Sequence, residues 1–127
     1  MSDAVVRVSR YSYGETCSRL TGAIHAAGAT LFASIDQSAA AASVGLSLRP
    51  TTLLVFGNPK AGTALMEAFP LTALDLPLKF AIWDEGNEVR VAFTPASVIA
   101  ARYGVSGSDA TIAALDHALE TLVASVA

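Results

Sequence analysis

The chain is short of cysteine, of charge and of aromatics, and each shortage removes a class of answer. A single cysteine, Cys17, leaves no internal disulfide framework and no thiolate cage for zinc. Charged residues make up 15% of the sequence, and its eight Lys and Arg residues are scattered singly under a net charge of -3. No basic stripe exists to displace counterions from a phosphate backbone, so nucleic acid is not an expected partner. The longest apolar helical stretches are interrupted, one by His25 and Gly28, the other by Asp116, His117 and Glu120. Neither reaches the length of a spanning helix, and no membrane role is expected. The first fifteen residues carry charges and turns where a signal peptide needs an apolar centre, which makes the cytoplasm the expected location.

What the chain has in quantity is small aliphatic residue. With 53% of its 127 residues in the hydrophobic set it can fill one compact core, and the length leaves no room for a second, so residues 1–127 read as a single domain.

The apolar pattern then lays out the elements. Val5 to Ser9 alternates as a first strand, and Cys17, Leu20, Ile24 and Ala27 share one face of a helix over Glu15 to Ala27. Gly28 ends that helix, and Thr30 to Asp36 forms a second strand with Leu31, Ala33 and Ile35 on one side and Phe32, Ser34 and Asp36 on the other. An Ala-rich turn or short helix, Gln37 to Val44, stops at Gly45 and at Arg49-Pro50, since proline pushes the residue before it away from helical geometry.

Thr51 to Phe56 is apolar on both faces, as expected of a strand in the middle of the sheet. Asn58 suits a helix cap and Pro59 the first helical position, where its missing N–H costs least, so a helix is predicted from Pro59 to about Phe69. After a proline-bounded linker from Pro70 to Pro77 come a strand at Leu78 to Trp83, a hairpin at Asp84 to Asn87 and a return strand ending at Phe93. Pro95 opens a short helix, and Ser108 is expected to cap a last one carrying Ile112, Leu115, Leu119, Leu122 and Val126 at three-four spacing. This order predicts an α+β fold of two layers: a mixed five-stranded sheet with helices mainly on one face. The other face, with Arg7, Phe32, Ser34, Trp83 and Arg90, is too apolar for ordinary solvent surface and is expected to be a dimer interface or a ligand floor.

Arg49-Pro50-Thr51, Phe56-Gly57-Asn58-Pro59, Leu74-Asp75-Leu76-Pro77-Leu78 and the hairpin after them, in this order, resemble the bacterial and archaeal family known as domain of unknown function 302. The resemblance extends over nearly the whole chain. It implies a compact α+β domain that pairs into homodimers, and it brings no activity with it. Its members often place histidine after the Ile-Asp pair. Gln37 stands there in this chain, so no metal or proton-transfer role carries over to that position.

Candidate chemistry is sparse. Gly57 and Gly62 are spaced like the glycines of a phosphate loop, yet Thr63 stands where that loop needs lysine, which removes nucleotide hydrolysis. A helix start beside Lys60 still suits a carboxylate or phosphate, while Asn58 and Pro59 serve equally as a structural cap. Asp36 and Asp75 would supply acid/base capacity if their loops met near Asn58; singly, such residues cap backbone N–H groups. Trp83 with Lys79 and Arg90 fits recognition of an anionic group or a subunit interface. His25 and His117 lack metal-ligand spacing, Cys17 lies on an apolar stripe, and no serine sits in a nucleophile elbow, so neither a metal nor a cofactor is expected and no catalytic residue is assigned.

Three readings follow. The first is a homodimeric binding or sensory module taking a small polar or anionic molecule near Asp36, Asn58, Lys60 and Asp75. The second is a small enzyme using Asp36 or Asp75 with Lys60, and the third an interaction module with no ligand.

Overall fold

The computed structural model describes residues 3–127. Its elements run β1 (Val5–Val8), α1 (Tyr13–Ala26), β2 (Thr30–Asp36), α2 (Gln37–Ser43), β3 (Thr51–Gly57), α3 (Pro59–Ala68), a 3-10 turn (Pro70–Leu74), β4 (Leu78–Asp84), β5 (Val89–Phe93), α4 (Ala96–Arg102) and α5 (Asp109–Ala124). The sheet order is β1-β5-β4-β3-β2. Every neighbouring pair is antiparallel, so the fold is α+β as expected but the sheet is not mixed. The chain enters at one edge as β1, α1 carries it across to the far edge as β2, and the remaining strands fold back one after another. The central strand is therefore β4, and β3 lies one place from the edge.

One face of the sheet is buried under helices. Leu54 and Phe56 of β3, Phe80 and Ile82 of β4 and Val91 and Phe93 of β5 meet Leu20 and Ile24 of α1 and Leu119 and Leu122 of α5. At the centre Phe56 stacks on Phe80 with centroids 4.8 Å apart, and Phe93 meets Phe80 edge-on at 5.9 Å. These contacts make the helix-bearing face one continuous core.

Among the described residues, those of the opposite face are exposed or half-buried. Residues directly opposite in a ladder share a face, which puts Val6, Val8, Ala81, Ala92, Leu53 and Val55 on it together with Lys79, Trp83 and Arg90. Arg7 is not among them. It stands opposite buried Val91 and reaches Glu120 of α5 at 3.4 Å. Ser34 likewise faces the helices, opposite Leu54. The cause is a bulge: the β2–β3 register shifts between Leu31 and Ala33, so Leu31 meets Phe56 on the helix side while Ala33 and Ile35 meet Val55 and Leu53 on the bare side. Phe32 is the extra residue, half exposed at the rim.

Local chemistry sets the helix ends. Ser12 accepts the Glu15 N–H and starts α1 two residues before Glu15. Ser108 precedes α5 but makes no side-chain cap. Instead, Asp116 of α5 accepts the Ala96 and Ser97 N–H groups at 2.6 Å and 3.3 Å, capping α4 from a distance.

Candidate functional site

The turn from β3 into α3 is built as its residues dictate. Asn58 is extended, and its Oδ1 accepts the Lys60 N–H at 3.0 Å while its carbonyl accepts the Gly62 N–H at 3.1 Å. Pro59 has no N–H to offer. Between them, the Ala61 N–H has no acceptor among the described residues, so one donor of the helix start stays open. Asn58, Pro59 and Lys60 are exposed.

Two cavities flank this turn. One, of about 250 Å³, is lined by Phe32, Gly62, Met66, Leu76 and Pro77 among others. The second, of about 610 Å³, runs between the end of α1, the first turn of α3 and α5, along Ala29, Ala61, Ala114, His117 and Ala118. Gly57, Asn58, Leu78 and Leu115 belong to both walls. The walls are overwhelmingly apolar, and no carboxylate lines either cavity.

The other residues singled out from the sequence lie elsewhere. Asp36 stands opposite Thr52 at the start of β3, whereas Asn58 follows its end, about 20 Å away along the strand. There Asp36 caps α2, accepting the Ser38 hydroxyl at 2.7 Å and the Ala39 N–H at 2.9 Å, and these bonds, the Ser38 one foremost, hold its carboxyl below the usual range. Asp75 accepts the Tyr103 hydroxyl at 2.7 Å and Arg102 at 2.8 Å. The Tyr103 bond first, then Arg102, keeps it ionised to lower pH than usual. The two carboxylates never meet, and neither environment favours holding a proton near neutrality.

Lys79 donates to the carbonyls of Asp75 at 3.2 Å and Pro77 at 2.8 Å, and burial lowers its pKa. Trp83 and Arg90 are cross-strand partners at the far end of β4. The Trp83 indole N–H donates to Glu85 at 2.6 Å, Arg49 reaches the same carboxylate at 2.8 Å, and Arg90 bonds Glu88 at 2.9 Å. The indole bond is the main reason Glu85 stays ionised below its ordinary pKa. The three residues thus separate into a clamp at the foot of β4 and a network at its top.

The sequence reading put Phe32 on a face expected to be a dimer interface or ligand floor, and the structure sets it in the wall of the smaller cavity; it overlooked Leu115 as a roof and the alanine row of α5. Only the row had a visible signal: Ala110, Ala114 and Ala118 recur every fourth position. Cys17 is half-buried, and burial raises its thiol pKa. Among the described residues no three His, Cys, Asp or Glu side chains converge as a metal site, and no helix is long and apolar enough to cross a membrane.

The family model described as Domain of unknown function DUF302 matches residues 5–122. The chain belongs to the DUF302 family. The crystal structure of an uncharacterized conserved protein DUF302 from Bacillus stearothermophilus matches this DUF302 chain with a TM-score of 0.89, covering 100% of both chains at 14% identity, which shows the common fold. Two curated relatives are longer. Fluoride-specific ion channel FluC 1 of Brucella suis biovar 1 (strain 1330) is 38% identical over 86 residues, 68% of this chain and 34% of that protein. Fluoride-specific ion channel FluC 2 of Brucella melitensis biotype 1 is also 38% identical over 86 residues, 68% of this chain and 32% of its own length. The DUF302 match thus spans about a third of each of these relatives.

Proposed function

We propose that this DUF302 domain is a cytoplasmic, homodimeric module that binds a small molecule against the strand-to-helix turn at Gly57 and Asn58. The observation that carries the reading is the pair of cavities sharing that turn as a common wall. The larger, about 610 Å³, is of the size that small-molecule sites occupy, and the smaller, about 250 Å³, lies just below it. The apolar wall supplies contact area, and the open Ala61 N–H with the adjacent Lys60 offers a place for a polar or anionic end. A screen of small organic acids, phosphates and apolar probes by thermal denaturation tests this: binders raise Tm through linkage, and a screen that moves no melting curve overturns it.

The bare sheet face supports pairing. Val6 and Val8 are 47% and 52% exposed there. The helix α2 buries none of its own residues, and a helix of seven residues has little stability without tertiary packing. A second copy laid on the sheet face would cover Val6 and Val8. Sedimentation of the wild type is expected to give a dimer, and Val8→Glu combined with Leu53→Lys a monomer.

A second reading rests on the Brucella relatives, which are named fluoride-specific ion channels and of which this domain matches a part. In that reading the domain attends a membrane channel for a small anion. Deleting its gene would then raise fluoride sensitivity, and unchanged growth across fluoride concentrations would dismiss the idea.

A further inference from the structure

We infer that the two cavities form one groove for a long-chain monocarboxylate, a fatty-acid-like molecule whose carboxylate sits at Asn58 and Ala61. This rests on the binding reading above and names the ligand's class. Three observations on the walls converge on it.

The first is shape. The cavities lie on either side of Gly57, which has no side chain. A Cβ built there would meet the Pro77 Cβ at 3.7 Å and the Leu78 nitrogen at 4.0 Å, and Gly57 shares the wall common to both lobes with Asn58, Leu78 and Leu115. An elongated molecule can lie along such a wall, whereas a compact one fills a single lobe. The second is lining. Phe32, Met66 and Leu115 line the smaller lobe, and Ala61, Ala114 and Ala118 the larger. A phosphate or a short acid would leave this surface wet. Each methylene transferred onto it tightens binding by roughly three- to four-fold.

The third is charge. Neither lobe is lined by Asp or Glu, and the polar groups at their junction are donors. Asn58 uses its Oδ1 on the Lys60 N–H, which leaves its amide NH2 to donate. The Ala61 N–H is open, and the Lys60 ammonium stands on the same turn of helix. A single negative end is matched where these donors gather; the other polar residues on the walls, Thr63, Thr111, His117 and Thr121, stand singly among apolar neighbours.

Calorimetric titration of the intact protein with phosphate, acetate, octanoate, dodecanoate and dodecanol, all below their aggregation limits, tests the assignment. Octanoate is expected to bind more weakly than dodecanoate by at least ten-fold, acetate and phosphate weaker still, and dodecanol at least five-fold more weakly than dodecanoate. Binding of phosphate or acetate with no gain from chain length would overturn the fatty-acid class and leave the site standing. Equal binding of dodecanol would overturn the carboxylate anchor, and no binding by any of the five would remove the site as well.

Two variants locate the chain. Gly62→Leu, in the wall of the smaller lobe, and Ala118→Phe, in that of the larger, replace small helical residues with better or comparable space-fillers. Each is expected to keep the far-ultraviolet spectrum and cooperative melting of the wild type while weakening dodecanoate at least ten-fold. Wild-type affinity in both folded variants overturns the placement. Should one fail to fold, the other decides.

Discussion

The strand-to-helix end of the sheet and its hairpin end both attracted notice as sequence, and the structure treats them in opposite ways. At the hairpin, Trp83, Arg49 and Arg90 all reach the Glu85 carboxylate, and Glu88 takes a second bond from Arg90, so polar groups that suggested recognition are spent on one another. At the strand-to-helix turn, Asn58 satisfies one helix donor, Ala61 keeps another, and beside them lie two apolar hollows. A dense set of charged residues is therefore a poor marker of a vacant site in this fold. Vacancy appears where small residues, glycine and alanine, meet at the ends of three elements.

The largest test of that contrast strikes what both ends share. Phe80 is fully buried against Phe56 and Phe93, so Phe80→Ala is expected to cost about 3–5 kcal/mol in urea unfolding. A loss below about 1 kcal/mol would mean that the two ends do not stand on a common core. Next comes Asp116→Ala, which strips the cap from α4 and is expected to cost about 1–2 kcal/mol by the same assay. Asn58→Ala removes a more exposed cap at the open end, for about 1 kcal/mol. If Asn58→Ala cost more than Asp116→Ala, the turn would be a structural keystone and a weaker candidate for a site.

A smaller effect appears in pH dependence. The folded pKa of Asp75 is depressed, chiefly by the Tyr103 hydroxyl and then by Arg102. Its contribution to stability is thus complete above the ordinary carboxylate pKa of about 4 and fades as the pH falls through the lower folded value. Asp75→Asn is expected to flatten the acid limb of the stability profile below about pH 4. Tyr103 is shifted the other way, upward, mainly by the same bond. Its ultraviolet ionisation is expected to move toward its ordinary pKa in that variant, and an unmoved titration would show that the bond is absent in solution.

Much of the fold was legible because its signals are local. A continuous apolar run marked β3 and alternation β4 and β5, the Asn58-Pro59 pair placed the start of α3, and Gly28 closed α1 with a positive φ of 76°. The signals that failed were long-range. Strand direction depends on which edges pair, and no residue of β1 announces that it joins β5. A one-residue bulge at Phe32 reversed the faces of half of β2, because side chains alternate with a period of two. The 3-10 turn from Pro70 to Leu74 was read as linker, since so short a turn has no apolar period of its own.

The candidate site was legible in one half. Asn58 and Lys60 lie where the strand-to-helix pattern put them, whereas Asp36 belongs to the opposite end of β3 and Asp75 to a cluster with Arg102 and Tyr103. The linker holding Asp75 does reach the Asn58 turn, where Pro77 packs beside Gly57, but the Asp75 carboxylate is taken up by Arg102 and Tyr103. The hollows had no motif at all, because a cavity is defined by side chains that stop short.

The most direct measurement is an amide NMR titration of the whole protein with dodecanoate. The account predicts shifts gathered at Gly57, Ala61, Gly62 and Leu115, with the signals of Trp83, Glu85 and Arg90 unmoved. Shifts gathered at the hairpin, or no shifts anywhere up to the solubility limit of the acid, would contradict it.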